Sequence, residues 1–385
     1  MEHWAALKSP SKVADVESLE TQNNSKFIFL LGRLARFRTL PRLQIRAEKH
    51  WLVEFIDACL RGVGQCLFQN SPLSGLLFLV AFGLADVGYE MVIFALVGVV
   101  TSTAFSILLG LPKSVRKAGM YGYNATLVGC AVHTLSLNRR FMTDRFSSFV
   151  PTISLIIGLS AFTVLVTTAT AAVLPRGLPV LTFPFQLAMW VYALAGQSYP
   201  SIQLLAQSEP HLMVNITTTQ RMYSQMEIFQ GILTGIGQTC LVDDWISGLL
   251  MLIGIFLCSP TSAFAALVSS TISAYFAVGF HAYNISSGLY GYNPVLIGIA
   301  LSGLFLAPKH WRTLVLIVSG VLFTFLITCA TTSAFNVFGL PVLTWPFTVM
   351  TWIILLVAQT LPDTECIALD EIKTPEDHIE SYYLI

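Results

Sequence analysis

The octapeptide LPVLTFPF at Leu178–Phe185 returns almost letter for letter as LPVLTWPF at Leu340–Phe347, and each copy joins two long uncharged apolar runs. Two further matches keep the same order. Tyr121-Gly-Tyr-Asn124-Ala-Thr-Leu-Val-Gly129 returns as Tyr290-Gly-Tyr-Asn293-Pro-Val-Leu-Ile-Gly298, and Gly62-Val-Gly-Gln65 returns as Gly235-Ile-Gly-Gln238. The three offsets are 162, 169 and 173 residues. A chance match would not bring ordered companions, so the chain is an internal duplication. The period is far above that of solenoids and gives two half-proteins, an arrangement common among membrane transporters.

Composition sets the surroundings of those halves. Hydrophobic residues make up 55% and charged residues 11%, with a mean hydropathy of +0.70, against roughly 25% charged in soluble domains. No Asp, Glu, Lys or Arg occurs from Gly177 to Ser208, from Trp245 to Pro308 or from Thr313 to Pro362. Runs of this kind belong in lipid, where a helix needs about 20 apolar residues to cross. The net charge of zero hides an asymmetry: ten of the 21 Lys and Arg residues fall in the first 61 positions. Basic residues flanking short apolar stretches such as Phe27–Leu31 read as a cytoplasmic N-terminus on the membrane surface. The lead is acidic and polar and the apolar stretch short, so no signal peptide is expected.

Apolar length and Gly/Pro punctuation predict spans at 51–69, 71–87, 90–112, 147–174 and 184–199, then at 223–242, 245–259, 261–281, 313–336 and 346–361. The YGYN segments, 121–135 and 290–304, are too short to cross and are expected to re-enter. The expected organisation is a cytoplasmic N-terminal segment (1–50), a first repeat (51–199), an extracellular loop (200–222), a second repeat (223–361) and a cytoplasmic C-terminal tail (362–385). An odd number of crossings per half gives the copies opposite orientations. The fold class is thus an all-α polytopic membrane protein, with two inverted repeats of about five helices plus a re-entrant half-helix around a central pore. The connecting loop carries the sequon Asn215-Ile-Thr217, the expected glycosylation site. Matches at Asn23, Asn124 and Asn284 are read as chance. Lys113, Arg116, Lys117, Arg139, Arg140 and Arg145 would lie outside, against the positive-inside tendency, but the larger N-terminal cluster dominates orientation.

The sequence carries no P-loop, no H-E-x-x-H and no G-x-S-x-G, so neither an enzyme nor an ATP-driven pump is expected. Its seven cysteines lack metal or redox spacing and read as small hydrophobes; no metal and no cofactor is expected. Glu54, Asp57 and Arg61 sit at i, i+3 and i+4 on the first span, a spacing that can neutralise itself. The polar residues that recur in both copies are uncharged: Gln65 with Gln238, Thr182 with Thr344, and Asn124 with Asn293. Buried amides and hydroxyls cost about 1–3 kcal/mol unless paired, so repeated placement implies a shared task. The bland alternative is that they tie helices together. Pro179, Pro184, Pro341 and Pro346 interrupt the backbone around each Thr and free carbonyls from helical pairing. A path of carbonyls, hydroxyls and amides walled by Leu and Phe suits a small neutral solute rich in N–H groups.

The paired Y-G-Y-N-A-T-L-V-G and L-P-x-x-T-x-P-F motifs resemble the urea transporter family, the facilitative urea channels, over about residues 50–362. The resemblance implies a homotrimer in the plasma membrane with one pore per subunit, and urea moving down its gradient without ion coupling. It implies pore-mouth roles for Gln65, Phe68 and Gln238, a constricted middle at Thr182 and Thr344, and apolar walls at Leu127 and Leu296. The second copy departs in having Leu241 where the first has Phe68, and Pro294 and Val295 where the first has Ala125 and Thr126. The rival readings are a channel for ammonia, water or another small neutral solute, and a scaffold whose duplication is architectural. His133 and His281 do not occupy equivalent positions, which weighs against an ammonia channel, and aquaporin-type Asn-Pro-Ala boxes are absent. No nucleic-acid partner is expected; the partners are urea, lipid and further copies of the chain.

Overall fold

The computed structural model describes residues 50–85, 88–136, 149–175, 177–198, 223–282 and 284–383. The expectations for the basic N-terminus, Asn215 and Arg139, Arg140 and Arg145 fall outside these residues. The described residues are helical, with one isolated bridge between Leu306 and Cys366. The first half comprises α1 (Trp51–Gly64), α2 (Pro72–Leu84), α3 (Gly88–Leu108), the short α4 (Lys113–Lys117), α5 (Tyr123–Leu135), α6 (Phe149–Val173) and α7 (Phe183–Ser198). The second comprises α8 (Gln225–Gly237), α9 (Trp245–Cys258), α10 (Pro260–Gly279), a 3-10 turn at Ile285–Ser287, α11 (Tyr292–Leu301), α12 (Trp311–Asn336) and α13 (Trp345–Ala358). A final α14 (Pro375–Tyr383) follows.

Among the described residues, four helices are long and apolar enough to cross a bilayer: residues 89–108, 150–173, 260–279 and 311–336. The expected separate spans at 51–69 and 71–87 instead form a pair bent by 72°, and those at 223–242 and 245–259 a pair bent by 71°. Helices α7 and α13, with 16 and 14 residues, are shorter than a full span. Length alone therefore gives fewer crossings than five per half. The bend has a local cause. Side-chain oxygens of Ser71 and Asp244 cap α2 and α9 by accepting from Ser74 N (3.3 Å) and Ser247 N (2.7 Å). A Cβ on Gly75 would lie 1.8 Å from Leu60 O, and one on Gly248 2.0 Å from Leu233 O, so only glycine lets the paired helices approach.

The halves exchange equivalent hydrogen bonds. Ser74 Oγ donates to Gly254 O (2.7 Å) and Ser247 Oγ to Ala81 O (2.9 Å); both residue pairs are related by the 173-residue offset. Reciprocity of this kind is the mark of a two-fold relation. The core between the halves contains fully buried Phe78, Phe82, Phe185, Phe347, Leu67 and Ile236. Large apolar side chains such as Leu108, Val173 and Phe264 face outward, as a bilayer requires of a protein whose exterior meets lipid.

Charged groups pair differently from the helical spacing expectation. Arg61 Nε does meet Asp57 Oδ2 at 2.7 Å, but Glu54 turns instead to Lys113 (3.1 Å) and Lys117 (3.7 Å) on α4. The tail after 362 is folded onto the bundle. Ile367 N donates to Phe305 O and Ala307 N to Glu365 O, both at 2.9 Å. Glu376, 3% exposed, accepts from Ser259 Oγ (2.9 Å) and Thr261 N (2.8 Å) at the start of α10. Burial, together with the neighbouring Glu365 carboxylate, pushes the Cys366 thiol above its ordinary pKa, which keeps it in the unreactive thiol form.

Candidate solute path

The two octapeptides form equivalent turns that break the chain before α7 and α13. Leu181 (φ 53°) and Leu343 (φ 46°) adopt left-handed backbone, which bulky residues rarely occupy and which clusters at functional sites. Hydrogen bonds hold the strain in place. Tyr123 Oη donates to Leu181 O (2.5 Å) and Tyr292 Oη to Leu343 O (2.8 Å). Asn124 Nδ2 donates to Leu181 O (3.4 Å) and Asn293 Nδ2 to Leu343 O (3.1 Å). Their Oδ1 atoms accept from Phe185 N (3.2 Å) and Phe347 N (3.4 Å), on the first turn of the following helix. Asn124 and Asn293 thus have the tying role, clamping the YGYN helices to the proline-broken turns.

Two carbonyls of these turns accept from indoles of the opposite half. Trp190 Nε1 on α7 donates to Pro341 O (3.0 Å), and Trp352 Nε1 on α13 donates to Pro179 O (2.8 Å). With Leu181 and Leu343 engaged as above, four carbonyls of these turns have donors from the protein itself.

What remains is the side chains. Thr182 and Thr344 are both 3% exposed. Thr182 Oγ1 pairs with Thr348 Oγ1 across the halves at 3.1 Å, whereas Thr344 Oγ1 is buried without a hydrogen-bond partner. Leu127 on α5 and Leu296 on α11 are each 1% exposed, within the one large apolar core. Gln65 and Gln238 begin short 3-10 turns after α1 and α8; Gln65 Nε2 donates to Ala118 O and Gln238 Nε2 to Ser287 O, both at 2.9 Å. Each amide nitrogen thus spends one of its two N–H donors on the loop before a YGYN helix, and each side-chain carbonyl oxygen is an acceptor. Phe68 (φ 63°) and its counterpart Leu241 (φ 62°) are also left-handed. The Phe68 ring packs edge-on against Phe305 (5.9 Å between centroids) and Phe347 (6.0 Å).

The seven candidate path residues lie at three places: Thr182 and Thr344 at the turns before α7 and α13, Gln65, Gln238 and Phe68 at the turns after α1 and α8, and Leu127 and Leu296 on α5 and α11. Four residues absent from that set bond at the same turns: Gln186 and Thr348, one turn beyond each Thr, and the indoles of Trp190 and Trp352. Polar residues four positions after a repeated Thr share its helix face, and that spacing was the available signal. His133 is fully buried, with Nε2 3.7 Å from Glu90 Oε2, while His281 is exposed; the two do not form a matched pair. The described residues contain no group of three or more metal-ligating side chains.

A family model described as urea transporter matches residues 56–359, a stretch that contains all seven candidate residues. The chain belongs to the urea transporter family. It is 30% identical over 335 residues to Urea transporter 1 of Ovis aries and of Capra hircus, and over 338 residues to that of Rattus norvegicus. These alignments cover 86% of this chain and 84% of each relative. As a urea transporter family member with apolar helices of spanning length, the chain is a multi-pass membrane protein. The duplicated Thr, Gln and Leu residues are accordingly features of a transporter's two halves.

Proposed function

We propose that this chain carries urea passively, down its own gradient, through a path between the two halves. The buried, unpartnered hydroxyl of Thr344 is the observation that carries this reading. Leaving a polar group unmet inside a protein costs about 1–3 kcal/mol, a cost relieved each time a solute supplies the missing partner. Urea is flat, with four N–H donors and one strong acceptor. It fits a slot whose walls are Leu127 and Leu296 and whose polar atoms come from Thr182, Thr344, Gln65 and Gln238.

The distribution of charge supports the absence of ion coupling. Among the described residues Asp57 closes on Arg61, and Glu54 on Lys113 and Lys117. The buried Glu90 and His133 have Thr261 and Ser302 at the equivalent second-half positions, so they are not part of the repeated set. The reading includes halves inverted in the membrane, a homotrimer in the plasma membrane, cytoplasmic termini, a glycan on Asn215 and no enzymatic step. The exchanged Ser74/Ser247 and Trp190/Trp352 bonds support a two-fold relation between the halves.

The test is urea flux into liposomes containing only this protein, with and without proton and sodium gradients. Flux should follow the urea gradient alone and exceed the flux of ammonia and water. Accumulation against the urea gradient, driven by either ion, would overturn the passive reading.

A further inference from the structure

The polar groups around the two threonines break the repeat. Thr182 corresponds to Thr344, and the residues one turn later, Gln186 and Thr348, correspond to each other. Thr182 Oγ1 and Thr348 Oγ1 pair at 3.1 Å. Exchanging the halves would require a matching bond between Thr344 and Gln186, and that bond is not made. Thr344 Oγ1 and Gln186 Oε1 are both buried without a partner, and the Gln186 side chain is wholly buried.

The orientation of the amide is determined by its neighbours. Gln186 Nε2 donates to Pro341 O at 3.3 Å, the carbonyl that also accepts from Trp190 Nε1 at 3.0 Å. Turning the amide over would set one acceptor against another, so Oε1 points away from Pro341. One side of the junction is therefore a closed hydroxyl pair. The other holds an amide oxygen that can only accept and a hydroxyl that can donate and accept.

Resting on the pore reading above, we infer that Gln186 is a specificity-determining residue of the urea path, its Oε1 accepting an N–H of the passing solute while the Thr344 hydroxyl meets a second polar atom. An acceptor with no other partner discriminates by what faces it. Urea carries an NH2 group on both sides of its carbonyl; acetamide replaces one with a methyl group that cannot donate. Sites built to bond a polar group reject the analogue lacking it far more strongly than apolar pockets sort by size.

The experiment measures urea and acetamide flux separately in liposomes containing the full chain, either unchanged or as Gln186→Leu or Gln186→Met. Leucine removes the amide, and methionine does so with an unbranched side chain that adapts to tight packing. Urea flux per reconstituted protein should fall about tenfold, the equivalent of about 1.4 kcal/mol. Acetamide flux should fall much less, so selectivity between the two collapses. A proportional fall of both solutes in whichever variant reconstitutes marks a packing role and overturns the inference, as does unchanged urea flux. Thr344→Val and Thr182→Val separate this from the reading beneath it. If they slow urea while both Gln186 variants are silent, only the role of Gln186 fails; if all four are silent, the path does not run through this junction.

Discussion

Phe68 meets Phe305 edge-on, with ring centroids 5.9 Å apart and planes at 86°, and the C-terminal tail holds Phe305 in that position. Ile367 N donates to Phe305 O, while Glu376 bonds Ser259 and Thr261 at the start of α10 and His378 Nδ1 lies 2.8 Å from Gly303 O. The tail thereby fastens a neighbour of the proposed pore mouth. Glu376→Ala removes two bonds to a carboxylate and should cost about 1–3 kcal/mol, seen as a lower melting temperature in detergent. An unchanged melting temperature would mean that the tail lies on the bundle without bracing it.

Replacing the two threonines should separate stability from transport. Thr182→Val breaks the bond to Thr348 and strands its hydroxyl, so it should both slow urea and destabilise by about 1 kcal/mol. Thr344→Val removes a hydroxyl that has no partner, so it should slow urea at equal or higher stability. Flux and thermal unfolding measured on the same preparations check this. Identical stability losses in the two variants would contradict the asymmetry.

The sequence disclosed the helices and their breaks because apolar length and proline leave strong local signals: α6 and α12 lie within two residues of their expected limits. The YGYN helices were likewise legible, at Tyr123–Leu135 and Tyr292–Leu301. The 72° bend between α1 and α2 was not, because it depends on Gly75 touching the Leu60 carbonyl, a contact that composition does not encode. Capture of Pro341 O by Trp190 was hidden for a related reason, since donor and acceptor are 151 residues apart. At the site, the repeated Thr and Gln could be read as motifs. Gln186 and Thr348 leave a weaker signal, because equivalent positions carrying different residues do not register as a repeat and only the spacing from each Thr marks them.

Topology gives an independent test. The proposed reading, with opposed halves and cytoplasmic termini, would place the connecting loop outside, and with it the sequon at Asn215. Protein made in mammalian cells should shift in gel mobility after glycosidase treatment, and Asn215→Gln should abolish that shift. A shift that survives the substitution would place another sequon outside. Asn284, exposed beside the 3-10 turn at Ile285–Ser287, is the one to examine then.

The repeated glutamines offer the sharpest choice between a path and a brace. Gln65 and Gln238 each donate one amide N–H to a loop carbonyl, Ala118 O and Ser287 O, at the same 2.9 Å. Their oxygens remain available as acceptors for urea N–H groups. Leucine at either position removes the brace and the acceptor together, so stability should fall by about 1 kcal/mol. The decisive measurement is therefore flux per folded molecule, with urea compared against methylated ureas that carry fewer N–H donors. We expect Gln65→Leu and Gln238→Leu to slow urea several-fold and to narrow its advantage over the methylated analogues, because the lost acceptor matters most to the solute with most donors. Normal flux per folded molecule in both variants would leave the glutamines as ties between α1 or α8 and the loops they touch, and would take them out of the path.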